Sequence, residues 1–445
     1  MIIMKFGGSS LATSERVKEV AGIIKNSLAE KPIIVLSAMG NTTDDLLAAG
    51  QAALRGEEQV DALIQFHMKI ASELDIDHKP MDALLDELSE VLTGVRMLKE
   101  LSPRTLDYLT SFGERLSVRT MAAYLETIGV SARHFDAWDI GFSSDSVFMD
   151  ARLTPETEPA IHDALGGLEK EYSYTPIITG FLAKDANGDV TTLGRGGSDL
   201  TASVIGAAVG ACEIQVWKDV DGIMTTDPRL VKDALPVPEV SFDEASELAY
   251  FGAKVLHPRS ILPAMKRNIP VRVKNSYNPD HPGTVIVNKR PAEGRLVRAL
   301  ALKKDVTLID IVSTRMLGQY GFLAKVFSLF EQHKVSVDMV ATSEVSISLT
   351  IDERNGISSL VSELETFSNV KVNKSMTIVS IVGDVSRSSE ILARAAGALQ
   401  TLGINIQMIS QGASKVNIGL IVDNAQAAQS IQGLHELFFG NEVEA

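Results

Sequence analysis

Thr191-Thr192-Leu193-Gly194-Arg195-Gly196-Gly197-Ser198-Asp199-Leu200-Thr201-Ala202 is the stretch from which the rest of this chain is read. A β-branched run ends in a glycine turn carrying one cation, one hydroxyl and one carboxylate. An alanine-rich apolar segment of helical character (202–211) follows at once. Strand, glycine loop and helix start together build an anion site, because glycines let the backbone approach and a helix N-terminus offers unpaired N–H groups. The Arg195 guanidinium adds a forked donor suited to a carboxylate or a phosphate. An ordinary tight βα turn would need one glycine and no charge.

The chain has 445 residues, too many for one compact core, so two or three domains are expected. Its formal net charge of -15 argues against nucleic acid or an anionic membrane as the main partner. An anionic substrate therefore needs a local cluster of cations. The single cysteine, Cys212, excludes an intrachain disulfide and a cysteine-rich metal site, and its apolar surroundings read as core packing. That usage suits a reducing compartment. The chain opens on strand-like Met1-Ile2-Ile3-Met4 and holds no apolar run of about twenty residues. Neither a membrane span nor a signal peptide is expected. The expected location is the cytoplasm, or a plastid if a transit peptide has been removed.

Around the opening stretch, strands alternate with helices, the signature of an α/β fold. Ile2-Ile3-Met4-Lys5-Phe6-Gly7-Gly8-Ser9-Ser10 runs from a strand into a glycine turn, with Ser14 read as the N-cap of a helix to about residue 28. Lys5 stands at the strand end, where such sheets present ligands, although a solvated edge lysine is the plainer alternative. Pro32-Ile33-Ile34-Val35-Leu36-Ser37-Ala38-Met39-Gly40 is a parallel-type strand followed by a polar turn (41–45) that can cap a helix near Leu46. Residues 57–99 turn helical and charged, with Leu63, Phe66, Ile70 and Leu74 at helical spacing, and read as an insertion without chemistry. Ser111-Phe112-Gly113-Glu114-Arg115-Leu116-Ser117 reads as a turn feeding a helix, which puts Glu114 near a helix start, where a carboxylate is favoured for simple electrostatic reasons.

A hairpin turn at Asp185-Ala186-Asn187-Gly188 leads into the opening stretch. Beyond it, Lys218-Asp219-Val220-Asp221-Gly222-Ile223 fails as a calcium loop on ligand spacing and fits the wall of a nucleotide pocket better. Phe251-Gly252-Ala253-Lys254-Val255-Leu256-His257-Pro258 is not a P-loop, and His257 reads as a core hydrogen bonder. After about residue 291 the units shorten to βαββαβ and start again, with the second copy lacking its last strand. A spare strand at about 297–303 stands ready to complete it.

Lys5-Phe6-Gly7-Gly8-Ser9-Ser10, Gly194-Arg195-Gly196-Gly197-Ser198-Asp199, Lys218-Asp219-Val220-Asp221-Gly222, Thr226-Asp227-Pro228-Arg229 and 251–258, in this order, resemble the aspartate kinases. The tail looks like the paired ACT domains of the monofunctional members. The resemblance implies an α/β amino-acid-kinase fold over 1–290 with a helical insertion at about 57–105. Two ferredoxin-like ACT domains, 291–374 and 375–445, would follow. The implied reaction is phosphorylation of the L-aspartate side-chain carboxylate by ATP with Mg²⁺, the first step toward lysine, threonine, methionine and isoleucine. Lys5, Asp199 and Lys254 would be catalytic. Ser37, Thr43, Glu114, Arg195 and Ser198 would bind aspartate, and Lys5, Gly8, Ser9, Lys218, Asp219, Met224, Arg229 and Lys254 would bind ATP. No protein metal site is implied, since the phosphates and water would hold the ion.

Lys218 and Met224 depart from relatives that carry Thr and Tyr there. Met316, Phe322, Leu323, Ser336, Asp338, Ser343 and Glu344 resemble the effector site of lysine-sensitive members, in homodimers joined through ACT domains. A glutamate or acetylglutamate kinase would not explain 251–258 or the double tail. A catalytically dead sensor would not explain the intact set Lys5, Glu114, Arg195, Asp199 and Lys254.

Overall fold

A computed structural model describes residues 1–57, 59–251, 256–289, 295–313, 320–352, 357–412 and 415–440. The chain forms two compact units. One comprises Met1–Ile223, Pro238–Phe242 and Val255–Arg290, and the other Met224–Val237, Asp243–Lys254 and Pro291–Ala445. Two short segments on the N-terminal side of residue 290 therefore belong with the C-terminal unit.

The first unit opens with β1 (Ile2–Phe6), α1 (Ser14–Asn26), β2 (Pro32–Leu36) and α2 (Thr42–Leu54). Three further helices follow, α3 (Asp61–Glu73), α4 (Lys79–Leu98) and α5 (Pro103–Thr127), then β3 (Ala132–Phe135), α6 (Thr157–Leu165) and β4 (Thr175–Thr179). The hairpin β5 (Leu182–Lys184) and β6 (Val190–Thr192) leads to α7 (Gly197–Val209) and β7 (Glu213–Lys218). Next come β8 (Glu239–Ser241), then α8 (Phe242–Tyr250), which apart from Phe242 belongs to the second unit, and α9 (Pro258–Lys266), β9 (Val271–Asn275) and β10 (Thr284–Val287).

Eight of these strands form one sheet in the order β3-β4-β2-β1-β7-β9-β10-β8. Every pairing is parallel except β9 with β10. Strands β1, β2 and β4 are buried along their whole length, as helices on both faces require. The helical insertion buries Leu63, Ile70, Leu74, Leu85 and Leu88 in the same core as Phe112 and Leu116. Truncating a residue of the Phe112 kind would cost about 3–5 kcal/mol.

Several local expectations need correcting. The N-cap of α1 is Thr13, whose hydroxyl accepts from Arg16 N–H, while Ser14 Oγ donates to Glu73 instead. Helix α2 begins at Thr42, a turn earlier than Leu46. Glu114 lies in the middle of the 25-residue α5, capped at Ser102 and started by Pro103, so helix-end electrostatics do not apply to it. Gly113 marks no turn but a close approach, where a Cβ would meet the Ala38 Cβ at 2.7 Å. Cys212 is exposed in the turn before β7 and donates to the Met1 carbonyl at 3.1 Å, so it is no core residue. His257 is half-buried and caps α9 through Nδ1, a hydrogen bonder at a helix end rather than in the core.

The second unit is built on a six-stranded antiparallel sheet, β12-β13-β11-β14-β16-β15. Its members are β11 (Val297–Val312), β12 (Val337–Thr342), β13 (Ser346–Asp352), β14 (Asn369–Gly383), β15 (Met408–Ser410) and β16 (Asn417–Asp423). Helices α10 (Phe322–Gln332), α11 (Ser358–Glu365), α12 (Ser388–Thr401) and α13 (Ala427–Phe439) accompany them. The two βαββαβ copies share the long strands β11 and β14. Residues 297–303 of β11 pair with 378–383 of β14, and residues 306–312 pair with β13 and with 369–376. The upstream strand thus pairs into the second copy. Asp305 and Ser375 carry left-handed φ values of 59° and 57° at the junctions between the halves. The two copies keep separate cores, one around Phe330 and Leu360, the other around Leu399, Leu420 and Leu434.

Candidate active site

Strand order reverses at β1, with β2 on one side and β7 on the other, and such a switch opens a crevice at the carboxyl ends of the strands. Into that crevice run the turns after β1 (Gly7-Gly8-Ser9), β2 (Ser37-Ala38) and β7 (Lys218-Asp219). The turns brace one another through backbone. Gly7 N–H donates to Trp217 O at 3.2 Å, Ser37 N–H to Phe6 O at 3.1 Å and Gly40 N–H to Gly8 O at 3.0 Å. A Cβ on Gly8 would sit 2.7 Å from the Ala38 carbonyl oxygen, so only glycine fits.

The opening stretch reaches the crevice from the hairpin. Gly196, with φ of 74°, is the N-cap of α7, and Asp199 falls in its first turn. Asp199 is 6% exposed and receives two ammonium groups, Lys5 Nζ at 2.7 Å and Lys218 Nζ at 3.5 Å. Burial pushes the Asp199 carboxyl up, and the two lysines more than reverse this, leaving it below its ordinary value. Burial, with Lys5 nearby, holds Lys218 below the usual lysine range despite Asp199. Two cations share one carboxylate, and the cluster carries a net charge of about +1 where water is scarce.

Glu114 projects from α5 into the same region. Its Oε1 accepts from Ala38 N–H at 3.2 Å, and its buried Oε2 has no hydrogen-bond partner among the described residues. Burial pushes its carboxyl up to about 8, against the Ala38 hydrogen bond and the pull of Lys5. An uncommitted buried carboxylate oxygen is a ready acceptor for an ammonium group. Arg195 is exposed on the glycine turn, Ser37, Thr43 and Ser198 are half-buried, and Ser9 and Asp219 are exposed.

Met224 and Arg229 belong to segments of the second unit, where Arg229 is held by Asp227 at 2.7 Å. Lys254 and Met316 lie outside the described residues. Of the other effector candidates, Phe322 packs edge-on against Phe367, Leu323, Ser336 and Glu344 are exposed, and Ser343 Oγ accepts from Ser346 N–H. Asp338 is enclosed, its side chain 2% exposed.

Some supports were invisible in the sequence. Buried Asp107 of α5 accepts from Thr192 N–H at 2.9 Å, Thr192 Oγ1 at 2.7 Å and Met149 N–H at 2.9 Å, fixing the strand that feeds the glycine turn. Behind the Gly8 turn, Arg16 donates to Ser276 Oγ and stacks over the Tyr277 ring at 3.5 Å, while Tyr277 OH donates to Ser9 O. These partners stand some 260 residues apart, and no local pattern announces them. Among the described residues no three His, Cys, Asp or Glu side chains cluster to hold a metal, and no helix is long and apolar enough to cross a membrane.

Residues 1–275 match the amino acid kinase family, and residues 309–360 and 379–438 match the ACT domain. The chain is 52% identical to chloroplastic aspartokinase 1 of Arabidopsis thaliana over 98% of its own length and 80% of that protein's. It superposes with a TM-score of 0.81 on Escherichia coli aspartokinase III bound to aspartate and ADP in an R-state, covering 99% of this chain and 100% of the other at 33% identity. The lysine- and aspartate-bound T-state of the same enzyme gives the same score and identity, with 99% of each chain covered. Full-length identity, the five ordered motifs and a cation-rich crevice followed by a double ACT tail converge, and this chain belongs to the aspartokinases, the amino acid kinases that carry ACT domains.

Proposed function

We propose that this aspartokinase transfers the γ-phosphoryl group of ATP to the side-chain carboxylate of L-aspartate, giving 4-phospho-L-aspartate, with the work divided between two loops. The observation that carries the reading is the buried Lys5–Asp199 pair, joined by half-buried Lys218, beside Glu114. A carboxylate attacking a phosphate brings anion to anion, so cations must offset the charge that spreads over the phosphoryl oxygens. Lys5, with the backbone of Gly8 and Ser9, takes the transferring phosphoryl, and Asp199 holds the Lys5 ammonium in place. Lys218 and Asp219 serve the nucleotide, a role that the family resemblance also implies for Met224, Arg229 and Lys254.

Arg195 holds the aspartate α-carboxylate, Glu114 and Asp199 face its amino group, and Ser37, Thr43 and Ser198 complete the pocket. No general base is needed, since the attacking carboxylate is already ionised near neutral pH. The donor set suits a Mg²⁺ carried mainly by the nucleotide phosphates and water, with exposed Asp219 the carboxylate at hand. When bound, the ion would neutralise phosphate charge.

L-Lysine inhibits through the first ACT copy by shifting the balance between active and inactive states. There Gly321, with φ of 84°, opens α10, whose N–H groups suit an α-carboxylate, and Asp338 and Glu344 suit ammonium groups. Exposed Tyr320, Leu323, Phe327 and Val345 form the apolar face for a second copy in a homodimer. The working compartment is reducing, cytoplasm or plastid. ATP consumption measured with aspartate, glutamate and N-acetylglutamate, each with and without lysine, tests the whole reading. Turnover only with aspartate, suppressed by millimolar lysine, is expected, and turnover with another acid or indifference to lysine overturns the corresponding part.

A further inference from the structure

The enclosed Asp338 carboxylate is already engaged. Lys303 Nζ lies 2.7 Å from it, and Tyr250 OH donates to it at 2.7 Å. The same Lys303 ammonium reaches Asp352 at 2.8 Å and stands 5.0 Å from the centre of the Tyr250 ring. All four groups belong to one unit. The backbone is irregular at both strands that supply the pair: register shifts between Val337 and Met339, where Asp338 sits, and again between Lys303 and Val306. Such irregularities re-aim side chains and cluster beside functional sites.

Two carboxylates thus share one ammonium and a neutral phenol, so the cluster holds one negative charge more than its cations cancel. We propose that this is a binding site for a primary ammonium in which Lys303 is a resident competitor: the ammonium of an incoming dibasic effector displaces Lys303 from Asp338, and Lys303 stays paired with Asp352. This rests on the reading of Asp338 as an effector contact. An ammonium has three donors, and Lys303 uses one on each carboxylate, so it can release one without losing the other. Asp352 is half exposed, and the surviving pair at the water's edge costs little to hold. Binding then converts a two-to-one cluster into two matched pairs, while occupancy by Lys303 sets the effector concentration at which this happens.

The test is calorimetric titration of the full-length protein with L-lysine. Lys303→Met should tighten lysine binding about tenfold by removing the competitor. Asp352→Asn should weaken it by a similar factor, because Lys303 loses its second partner and stays on Asp338. A merely structural cluster predicts that both changes weaken binding, and that result, or no change in Lys303→Met, overturns the proposal. Should Lys303→Met not fold, Lys303→Arg serves: its forked guanidinium grips Asp338 harder, and lysine binding should weaken severalfold. Tighter or equal binding in Lys303→Arg counts against the competitor. Asp338→Asn separates the two layers. If it leaves lysine binding intact, Asp338 is no effector contact; if it abolishes binding while Lys303→Met fails to tighten it, only the competitor falls.

Discussion

The two units each hold a lysine–aspartate pair at 2.7 Å, Lys5 with Asp199 buried and Lys303 with Asp338 partly buried, and the pairs carry opposite surpluses of charge. Lys218 joins the first and tips it to two cations per carboxylate. Asp352 joins the second and tips it to two carboxylates per cation. An unmatched unit charge 4 Å from a ligand charge is worth about 4 kcal/mol at an effective dielectric of 20. That is enough to choose the sign of the ligand. In a chain of net charge -15, the first cluster has the sign that suits phosphate and carboxylate where the bulk charge would repel them. The second uses the prevailing sign to admit an ammonium. The ion pair itself tells little; the third charge decides.

The sharpest way to break the comparison is Lys5→Met, which removes the cation proposed to meet the transferring phosphoryl. Steady-state kcat should fall about 10³-fold with little change in the aspartate KM, the scale of losing one preorganised donor to a developing charge. A large KM effect with kcat retained would make Lys5 a substrate clamp instead. Next in size is Arg195→Ala, which should raise the aspartate KM roughly 10- to 100-fold through loss of one charge-assisted hydrogen-bonded pair, with kcat nearly kept. A collapse of kcat at saturating aspartate would exchange the roles of the two loops.

The smallest effect probes the buried carboxyl beside the first cluster. Glu114 binds an ammonium only when ionised, and burial has pushed its carboxyl up to about 8. The aspartate KM should therefore fall severalfold between pH 6.5 and 8.5, and Glu114→Gln should flatten that dependence. Stability runs the other way. An unfolded Glu114 ionises near its ordinary value while the folded one stays protonated, so it costs stability increasingly as pH rises to about 8. Glu114→Gln should raise the melting temperature at pH 8 more than at pH 5. A wild-type KM indifferent to pH would remove Glu114 from the amino group.

How much of this was legible beforehand differs by element. The glycine turn at 194–199, the Lys5 strand end and the alternation of strand and helix all depend on neighbours close in sequence, and the structure holds them as expected. Glu114 reads from its neighbours as near a helix start, whereas it lies mid-helix in α5, where Gly113 lets the helix approach Ala38. Thr13 and Ser14 compete for one cap, and what separates them is Glu73, far along the chain, which takes the Ser14 hydroxyl. Cys212 looked buried because its neighbours are apolar, and a turn at the sheet's end exposed it.

The sequence by itself determined the family, the glycine loops and the doubled tail, since these rest on residue types at fixed short spacings. The tertiary structure alone decided the charge balance of each cluster. Lys5 on β1 meets Asp199 on α7, and Lys303 on β11 meets Asp338 on β12, only when elements distant in sequence pack together. Long-range pairing also ran β11 and β14 through both ACT copies, because a strand with two open edges finds its partners by hydrogen bonding and not by order along the chain.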